Sequence, residues 1–340
     1  MVDDEAMPLF RSLQRRLAGS ARKHSGLSPD ETDALLMQAC ERAVSGRVKD
    51  AVAELLDTLG EEPEEWVVTE PVDIFLPPGV PRLRVGRTTY SQRLPRLPAG
   101  QKFVGRFVPP VATARVVSRG AATARVLARE TFAESGAILD LIVPPANTGS
   151  EATVVRRRSD PPRGPGYSRP GWFLGTVPIS EGRLPAPFLY LSRAAGRDEA
   201  NRSEWQRRVL AAARWYSRGH RSESASDRIV SAMVALESLF VVGRREPQKG
   251  VLIAERATQR LRAGGMTEDE QRAWLRRLYQ VRNDAAHEGR EVLDDLEVDR
   301  LLDLTNVAVR VSVYHLDPDH REPRRACRTY AEAMRWWDGT

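Results

Sequence analysis

Apolar side chains recur at helical intervals from residue 204 onward. Successive segments place apolar residues three or four positions apart, which predicts amphipathic or buried helices. These predicted helices cover residues 204–219, 225–243, 250–265, 267–289, 293–316 and, more briefly, 328–337. The segment 225–243 is strongly apolar, so we expect it to be the central helix of a bundle. Short connections between successive helices favour antiparallel packing.

A different pattern fills the first part of the chain. Residues 1–60 have helical spacing and close on Gly60. Short β-branched or aromatic runs bounded by Pro and Gly then predict strands in residues 65–78, 83–91, 102–110, 151–158 and 171–179. The alanine-rich residues 111–143 are predicted to form one long helix with a weak interruption at Gly120.

The predicted fold class is therefore an α+β N-terminal region followed by an all-α helical bundle. We place the N-terminal α+β region, with a regulatory or sensing role, in residues 1–199 and the helical domain in residues 200–340. The boundary falls in a polar linker around residues 192–204. A chain of 340 residues is long enough for two such domains, each with its own core.

Composition narrows the class of protein further. No window approaches about 18 consecutive apolar residues, so we expect no membrane span, and the N-terminus lacks the pattern of a signal peptide. The two cysteines, Cys40 and Cys327, make neither a disulfide framework nor a zinc site and fit a cytoplasmic location. The formal net charge of +6 permits an anionic partner such as nucleic acid. The arginine excess behind it is also typical of compositional bias from a GC-rich genome.

One short segment carries candidate chemistry. LYQVRNDAAHEG, residues 278–289, puts Arg282 and Asn283 before His287 near the end of a predicted helix. Five residues correspond to roughly 140° of helical rotation, so Arg282 and His287 flank a shared edge. Arginine offers a planar fork for a phosphate, and imidazole transfers protons near neutral pH. The same spacing also arises by chance, and in that case Arg282 is a surface arginine and His287 caps the end of the helix.

These groups suit cleavage of RNA without a metal. The 2′-hydroxyl of the ribose is an internal nucleophile, an imidazole moves the proton, and a guanidinium stabilises charge on phosphorus. One histidine is too few for both the acid and the base role. A two-fold dimer that joins two such helices supplies a second histidine and a second arginine.

The helical part of the chain resembles the HEPN superfamily, and specifically its Apea-like branch. Three segments carry the resemblance in the expected order and spacing: VALESLF at residues 234–240, LIAERA at 252–257, and LYQVRNDAAHEG at 278–289. It covers about residues 200–330. The resemblance implies a helical bundle that forms a homodimer through the motif helices. It also implies metal-independent endoribonuclease activity, with Arg282 as the phosphate-binding residue, His287 as the catalytic residue and Asn283 as their polar neighbour.

The same resemblance implies partners and a setting. The substrate is an RNA, either tRNA or mRNA, and the setting is phage defence or toxin-like cleavage with a phage component or antitoxin as the trigger. No cofactor and no metal are expected, and a loop with His315, Asp317, Asp319 and His320 is more typical of a solvated turn than of a metal site. The alternative is a non-catalytic module for nucleotide binding, RNA binding or dimerisation.

Further residues are candidates for the site or its support. Glu237 and Glu255 match positions of the family, and a buried carboxylate there needs a partner, for which Arg256 or Arg282 is available. Asp284 either orients an arginine or repels phosphate. The aromatic pair Trp215 and Tyr216 is more typical of a core than of a surface that stacks on bases. The candidate substrate-binding residues are Arg214, Arg218 and Arg256.

Overall fold

The computed structural model places strands in the first part of the chain and helices after them, as the pattern predicts. It describes residues 62–72, 76, 80–91, 111–142, 154–157, 184–222, 224–241, 248–288, 294–314 and 329–338. The chain divides into two compact units. The first comprises Met1–Pro71, Val111–Phe132 and Gly149–Pro170, and the second comprises Val72–Pro110, Ala133–Thr148 and Gly171–Thr340. The predicted boundary at residue 200 stays a prediction, and the second unit includes segments that precede it.

The described strands are β1 (Glu64–Pro71), β2 (Arg82–Val85), β3 (Thr88–Ser91), β4 (Val111–Ser118) and β5 (Val154–Arg157). In the first unit β1 lies between β4 and β5 and is antiparallel to both. The register sets Trp66 opposite Val116 of β4, and the Trp66 indole N–H donates to the carbonyl of Ser118 over 2.8 Å. In the second unit β2 and β3 form an antiparallel hairpin.

The prediction of one helix over residues 111–143 is wrong for its first part. Residues 111–118 form β4, and helix α1 (Ala121–Asp140) begins just after Gly120. Alanine and arginine favour a helix locally, but pairing with β1 along its whole length supplies the stabilisation of β4. That partner lies far away in sequence, so a local pattern does not reveal it.

The predicted polar linker around residues 192–204 is also wrong, because it holds packed structure. Helix α2 (Ala186–Ala195) reaches into it, and a single 3₁₀ turn, Glu199–Asn201, follows. Arg202 forms two hydrogen bonds of 2.7 and 2.8 Å with the carboxylate of Glu134, and both side chains are almost fully buried. A buried pair with matched geometry fixes this segment in place.

The hairpin turn contacts α2 directly. Gly86 has a φ of 58°, which favours glycine, and its N–H donates to the hydroxyl of Ser192 over 2.8 Å. A Cβ at this position would also meet the Cβ of Ala195 at 3.0 Å. The turn therefore requires glycine both for its backbone conformation and for its close approach to the helix.

The remaining helices form the bundle of the second unit. They are α3 (Glu204–Arg221), α4 (Ala225–Phe240), α5 (Lys249–Arg260), α6 (Glu268–Glu288), α7 (Asp295–Tyr314) and α8 (Tyr330–Trp337). Helix α4 packs against α3, α5, α6 and α7. Its side chains Met233, Leu236 and Phe240 are fully buried. The prediction of a central apolar helix is confirmed.

Capping chemistry sets the start of α6. The Thr267 hydroxyl accepts from the Glu270 N–H over 3.3 Å, and the Glu270 carboxylate accepts from the Thr267 N–H over 2.8 Å. This reciprocal pair satisfies two N–H groups that have no partner inside the helix. Helix α6 continues to Glu288, within the predicted residues 267–289.

Several predictions lie outside the described residues. These are the helices in residues 1–60, the strands at 102–110 and 171–179, and the loop at 315–320. Within the described part of the chain, no helix has the length and apolar character needed to cross a membrane.

Candidate functional site

Helix α6 carries the candidate motif and presents a polar stripe. Arg276, Tyr279, Gln280 and Asn283 are three or four residues apart, so they share one face of the helix. Arg282 lies next to this stripe. Residue 287 is part of the last turn of α6, four positions after Asn283 and thus on the same face by spacing.

Arg282 is held by contacts on both ends of its guanidinium. Its Nη2 lies 3.3 Å from Oε1 of Glu237 on α4, and its Nη1 donates to Oδ1 of Asn283 over 3.0 Å. The centre of the guanidinium lies 5.6 Å from the ring centroid of Tyr279. Its Nε is buried and has no hydrogen-bond partner among the described residues. The side chain is 23% exposed, so Arg282 is held in position without being fully buried.

Glu237 is the centre of this polar cluster. Its carboxylate accepts a hydrogen bond of 3.0 Å from the Tyr279 hydroxyl and lies 3.8 Å from Nζ of Lys249. With the Arg282 contact, one carboxylate serves three partners from two other helices. The expectation that Glu237 needs an arginine is confirmed, and of the two candidates, Arg256 and Arg282, the partner is Arg282.

Burial and the polar cluster together raise the pKa of Tyr279. Burial raises the pKa of Tyr279 to about 12, and the charge of Glu237 and the hydrogen bond to it act in the same direction, while Arg282 opposes them. Tyr279 therefore stays protonated well above neutral pH. It acts as a hydrogen-bond donor that orients Glu237, and it does not serve as a base.

An open pocket of about 470 Å³ adjoins the cluster. Its lining consists of cationic, carboxamide, aromatic and small residues from the start of α5 and the polar stripe of α6: Gln248, Lys249, Gly250, Val251, Arg276, Tyr279, Gln280 and Asn283. Asn283 therefore touches both Arg282 and the pocket. Lys249, Arg276 and Tyr279 are not among the residues predicted for the site. Arg276 and Tyr279 are joined to Asn283 by three- and four-residue helical spacing, and that spacing is a signal in the sequence that points to both.

The arginines of α3 belong to a separate surface. Arg214 and Arg218 are exposed, and the Arg218 guanidinium lies 5.2 Å from the ring centroid of Trp215, which is half-buried. Tyr216 is buried, as the core interpretation predicts. Neither Arg214 nor Arg218 lines the pocket that Asn283 adjoins, so the structure does not place these candidates at that pocket.

The other candidates have structural partners. Arg256 donates to Asp338 from Nε over 2.8 Å and also contacts the carbonyl of Phe240, which ties α5 to the end of α8. Glu255 is exposed and pairs with Arg276 at 3.2 Å, so the expectation of a buried carboxylate is wrong there. Asp284 is exposed and accepts from the Gln280 side chain over 3.2 Å.

Comparisons with protein-family models, curated proteins and solved structures find no match to this chain. The resemblance to the HEPN superfamily stays a prediction, and the functional interpretation rests on the motif and on the chemistry of the site.

Proposed function

We propose that the protein is a metal-independent endoribonuclease of the HEPN type, with Arg282, Asn283 and His287 as its catalytic residues. The observation that carries the proposal is the placement of Arg282 and Asn283 on one rigid helix beside an open pocket lined by Lys249 and Arg276. A catalytic guanidinium has to be held in position before the substrate arrives. The contacts of Arg282 with Glu237 and Asn283 supply that restraint.

The proposed reaction is an internal phosphoryl transfer. The ribose 2′-oxygen attacks the adjacent phosphorus and the bond from phosphorus to the 5′-oxygen breaks, which leaves a 2′,3′-cyclic phosphate and a free 5′-hydroxyl. One histidine takes the proton of the 2′-hydroxyl and a second gives a proton to the leaving 5′-oxygen. Arg282 stabilises the extra negative charge on the phosphoryl oxygens.

Two copies of the chain are needed for this proton balance. His287 supplies one imidazole per chain, so we place the complete site at a two-fold interface between motif helices. The N-terminal region would then sense a trigger, select the RNA or restrain the nuclease, in a phage-defence or toxin-like setting.

The activity test is cleavage of tRNA or total RNA in buffer that contains EDTA. The wild-type protein should cleave, while His287→Ala and Arg282→Ala should each lose at least a hundredfold in rate, the lower part of the range for acid–base and oxyanion groups. Cleavage by His287→Ala at the wild-type rate would refute the assignment. Cleavage that disappears in EDTA and returns with Mg²⁺ would refute the metal-independent mechanism.

The composite site has a separate test. A heterodimer of one wild-type and one His287→Ala copy, isolated through two different affinity tags, should be almost inactive because one of its two proton-transfer groups is missing. If each copy holds a complete site, the heterodimer keeps about half of the activity. A heterodimer that keeps half of the activity would therefore contradict the two-fold arrangement while leaving the nuclease assignment intact.

A second candidate is a module that binds RNA or nucleotides without cleaving them. The cations that line the pocket, Lys249 and Arg276, favour it, because they can hold an anionic ligand whether or not the chain cleaves RNA. Measurable, salt-sensitive RNA binding by a wild-type protein that cleaves no RNA would favour this function. Toxicity on overexpression that is lost with His287→Ala would favour the nuclease instead.

A further inference from the structure

We infer that the pocket between α5 and α6 is a subsite for a backbone phosphate of single-stranded RNA, held by Lys249 and Arg276. The inference rests on the proposed function, since it places this phosphate next to the one that Arg282 would contact. It assigns two residues that the motif does not contain.

The lining of the pocket has the chemistry of a phosphate site. Lys249 and Arg276 contribute cations, and Gln248, Gln280 and Asn283 contribute carboxamides that can donate hydrogen bonds. No carboxylate is among the lining residues. A phosphate has only acceptor oxygens, so it matches a wall of donors and cations.

The cations beside the pocket outnumber the carboxylates that pair with them. Lys249, Arg276 and Arg282 pair with two carboxylates, those of Glu237 and Glu255, while a third carboxylate nearby, Asp284, accepts from the side chain of Gln280. The acids also hold the cations in place: Lys249 lies 3.8 Å from Glu237, and Arg276 lies 3.2 Å from Glu255. The Lys249 and Arg276 side chains remain 24% and 45% exposed, so both have room to contact an anion from solvent.

The shape of the site favours a strand over a small ligand. The pocket opens to solvent, and the stripe of α6 leads from Arg276 through Gln280 to Asn283, beside Arg282. Successive phosphates of an extended strand can follow such a line of donors along one helix face. Gly250 lets the start of α5 approach Tyr279 closely, because a Cβ there would lie 2.8 Å from the ring.

The test measures binding of a single-stranded oligonucleotide with 2′-O-methyl groups, which lacks the nucleophile and is not cleaved. Its affinity is measured by fluorescence anisotropy across salt concentrations. Each lost phosphate contact should lower the slope of log affinity against log salt by about 0.7 and weaken binding about three- to fivefold at physiological salt. We expect these losses for Lys249→Ala and for Arg276→Ala, with partial recovery for Arg276→Lys.

Arg277→Ala is the matched control. Arg277 is the next residue on α6, and its side chain is 50% exposed, against 45% for that of Arg276. Each arginine pairs with a glutamate, Arg276 with Glu255 and Arg277 with Glu297. Of the two, only Arg276 lines the pocket. Both arginines are about half exposed, so loss of either ion pair should change stability only slightly, as a thermal melt can verify. The slope for Arg277→Ala should equal that of the wild type.

The possible results distinguish failure of the phosphate subsite from failure of the proposed nuclease activity. Equal slopes for Arg276→Ala and Arg277→Ala, or no binding by the wild type, overturn the subsite even if unmodified RNA is cleaved. A pocket-dependent slope in a wild-type protein that cleaves no RNA keeps the subsite and removes the proposed activity.

Discussion

Replacement of Glu237 by glutamine tests whether the cluster behind the motif holds Arg282 in place. The substitution keeps the size of the side chain and an oxygen that can accept from the Tyr279 hydroxyl. It removes the negative charge that faces Arg282 at 3.3 Å and Lys249 at 3.8 Å. The expected result is a loss of stability that comes from an uncompensated, half-buried guanidinium.

The magnitude follows from the exposure of the pair. The Glu237 and Arg282 side chains are 17% and 23% exposed, so the pair lies between two limits. An exposed pair contributes up to about 1 kcal/mol, whereas breaking a fully buried pair costs about 3–5 kcal/mol. Because the hydrogen bond from Tyr279 can persist, we expect Glu237→Gln to lower the free energy of unfolding by about 2 kcal/mol.

The assay is urea unfolding followed by circular dichroism, with Glu255→Gln as the matched control. Glu255 also pairs with an arginine of α6, at 3.2 Å, but both partners of that pair are about half exposed. Its substitution should change the free energy of unfolding by less than about 0.5 kcal/mol. If Glu237→Gln costs no more than Glu255→Gln, Glu237 does not hold Arg282, and the preorganisation behind the proposed function is lost.

A second observable in the same variant is the ionisation of Tyr279. Burial is the main reason that its pKa is raised to about 12, and the charge of Glu237 adds to it. Glu237→Gln should therefore lower the pKa of Tyr279 only part of the way towards its ordinary value. The shift is measured from tyrosinate absorbance, with Tyr279→Phe as the reference that identifies the signal.

Three further predictions concern the stability of the helical unit. Asp140→Asn should cost about 3 kcal/mol in urea unfolding, because the buried Asp140 carboxylate accepts from Arg221 at 2.8 and 3.0 Å. Trp337→Ala should cost about 3–5 kcal/mol in the same assay, since the fully buried indole packs edge-on against Phe240 with ring centroids 4.7 Å apart. Burial raises the pKa of Tyr216 to about 12, above its value of about 10 in the unfolded chain. The stability that Tyr216 contributes to the folded protein through this difference is therefore complete below about pH 10 and is lost as the pH rises through about 12. Tyr216→Phe should remove that part of the alkaline destabilisation in thermal melts at pH 9–12, and an unchanged pH profile would contradict this origin.

The helical bundle can be predicted from local sequence patterns, because the residues that determine each helix lie close together in the sequence. The apolar spacing of α4 and the capping pair at Thr267 depend on residues within a few positions of one another. Both features are therefore readable from the sequence, and the predicted central helix is confirmed. The choice of Arg282 as a partner of Glu237 was one of two alternatives, and only the packing of α4 against α6 decided between them.

The errors before residue 205 have the opposite cause. Strand β4 was predicted to be helical because its stabilising partner, β1, lies about forty residues earlier. The predicted linker is packed because Arg202 meets Glu134, and Ser192 meets the turn at Gly86. A polar residue that finds a distant, complementary partner is stable when buried, but its sequence neighbours do not show that partner.

Arg282 can form an ion pair with Glu237 and still act in catalysis if enough of its N–H groups remain to bind a phosphate. A guanidinium has five: one on Nε and two on each Nη. The Nε is buried, Nη1 uses one N–H for Asn283, and Nη2 faces Glu237. One N–H on each Nη is left, which is enough for two hydrogen bonds to phosphate oxygens. The contacts that make Arg282 look structural are therefore compatible with phosphate binding, because they fix the orientation of the remaining donors. A purely structural arginine would have no need of those two donors, so loss of RNA binding on Arg282→Ala, with the fold intact, distinguishes the two roles.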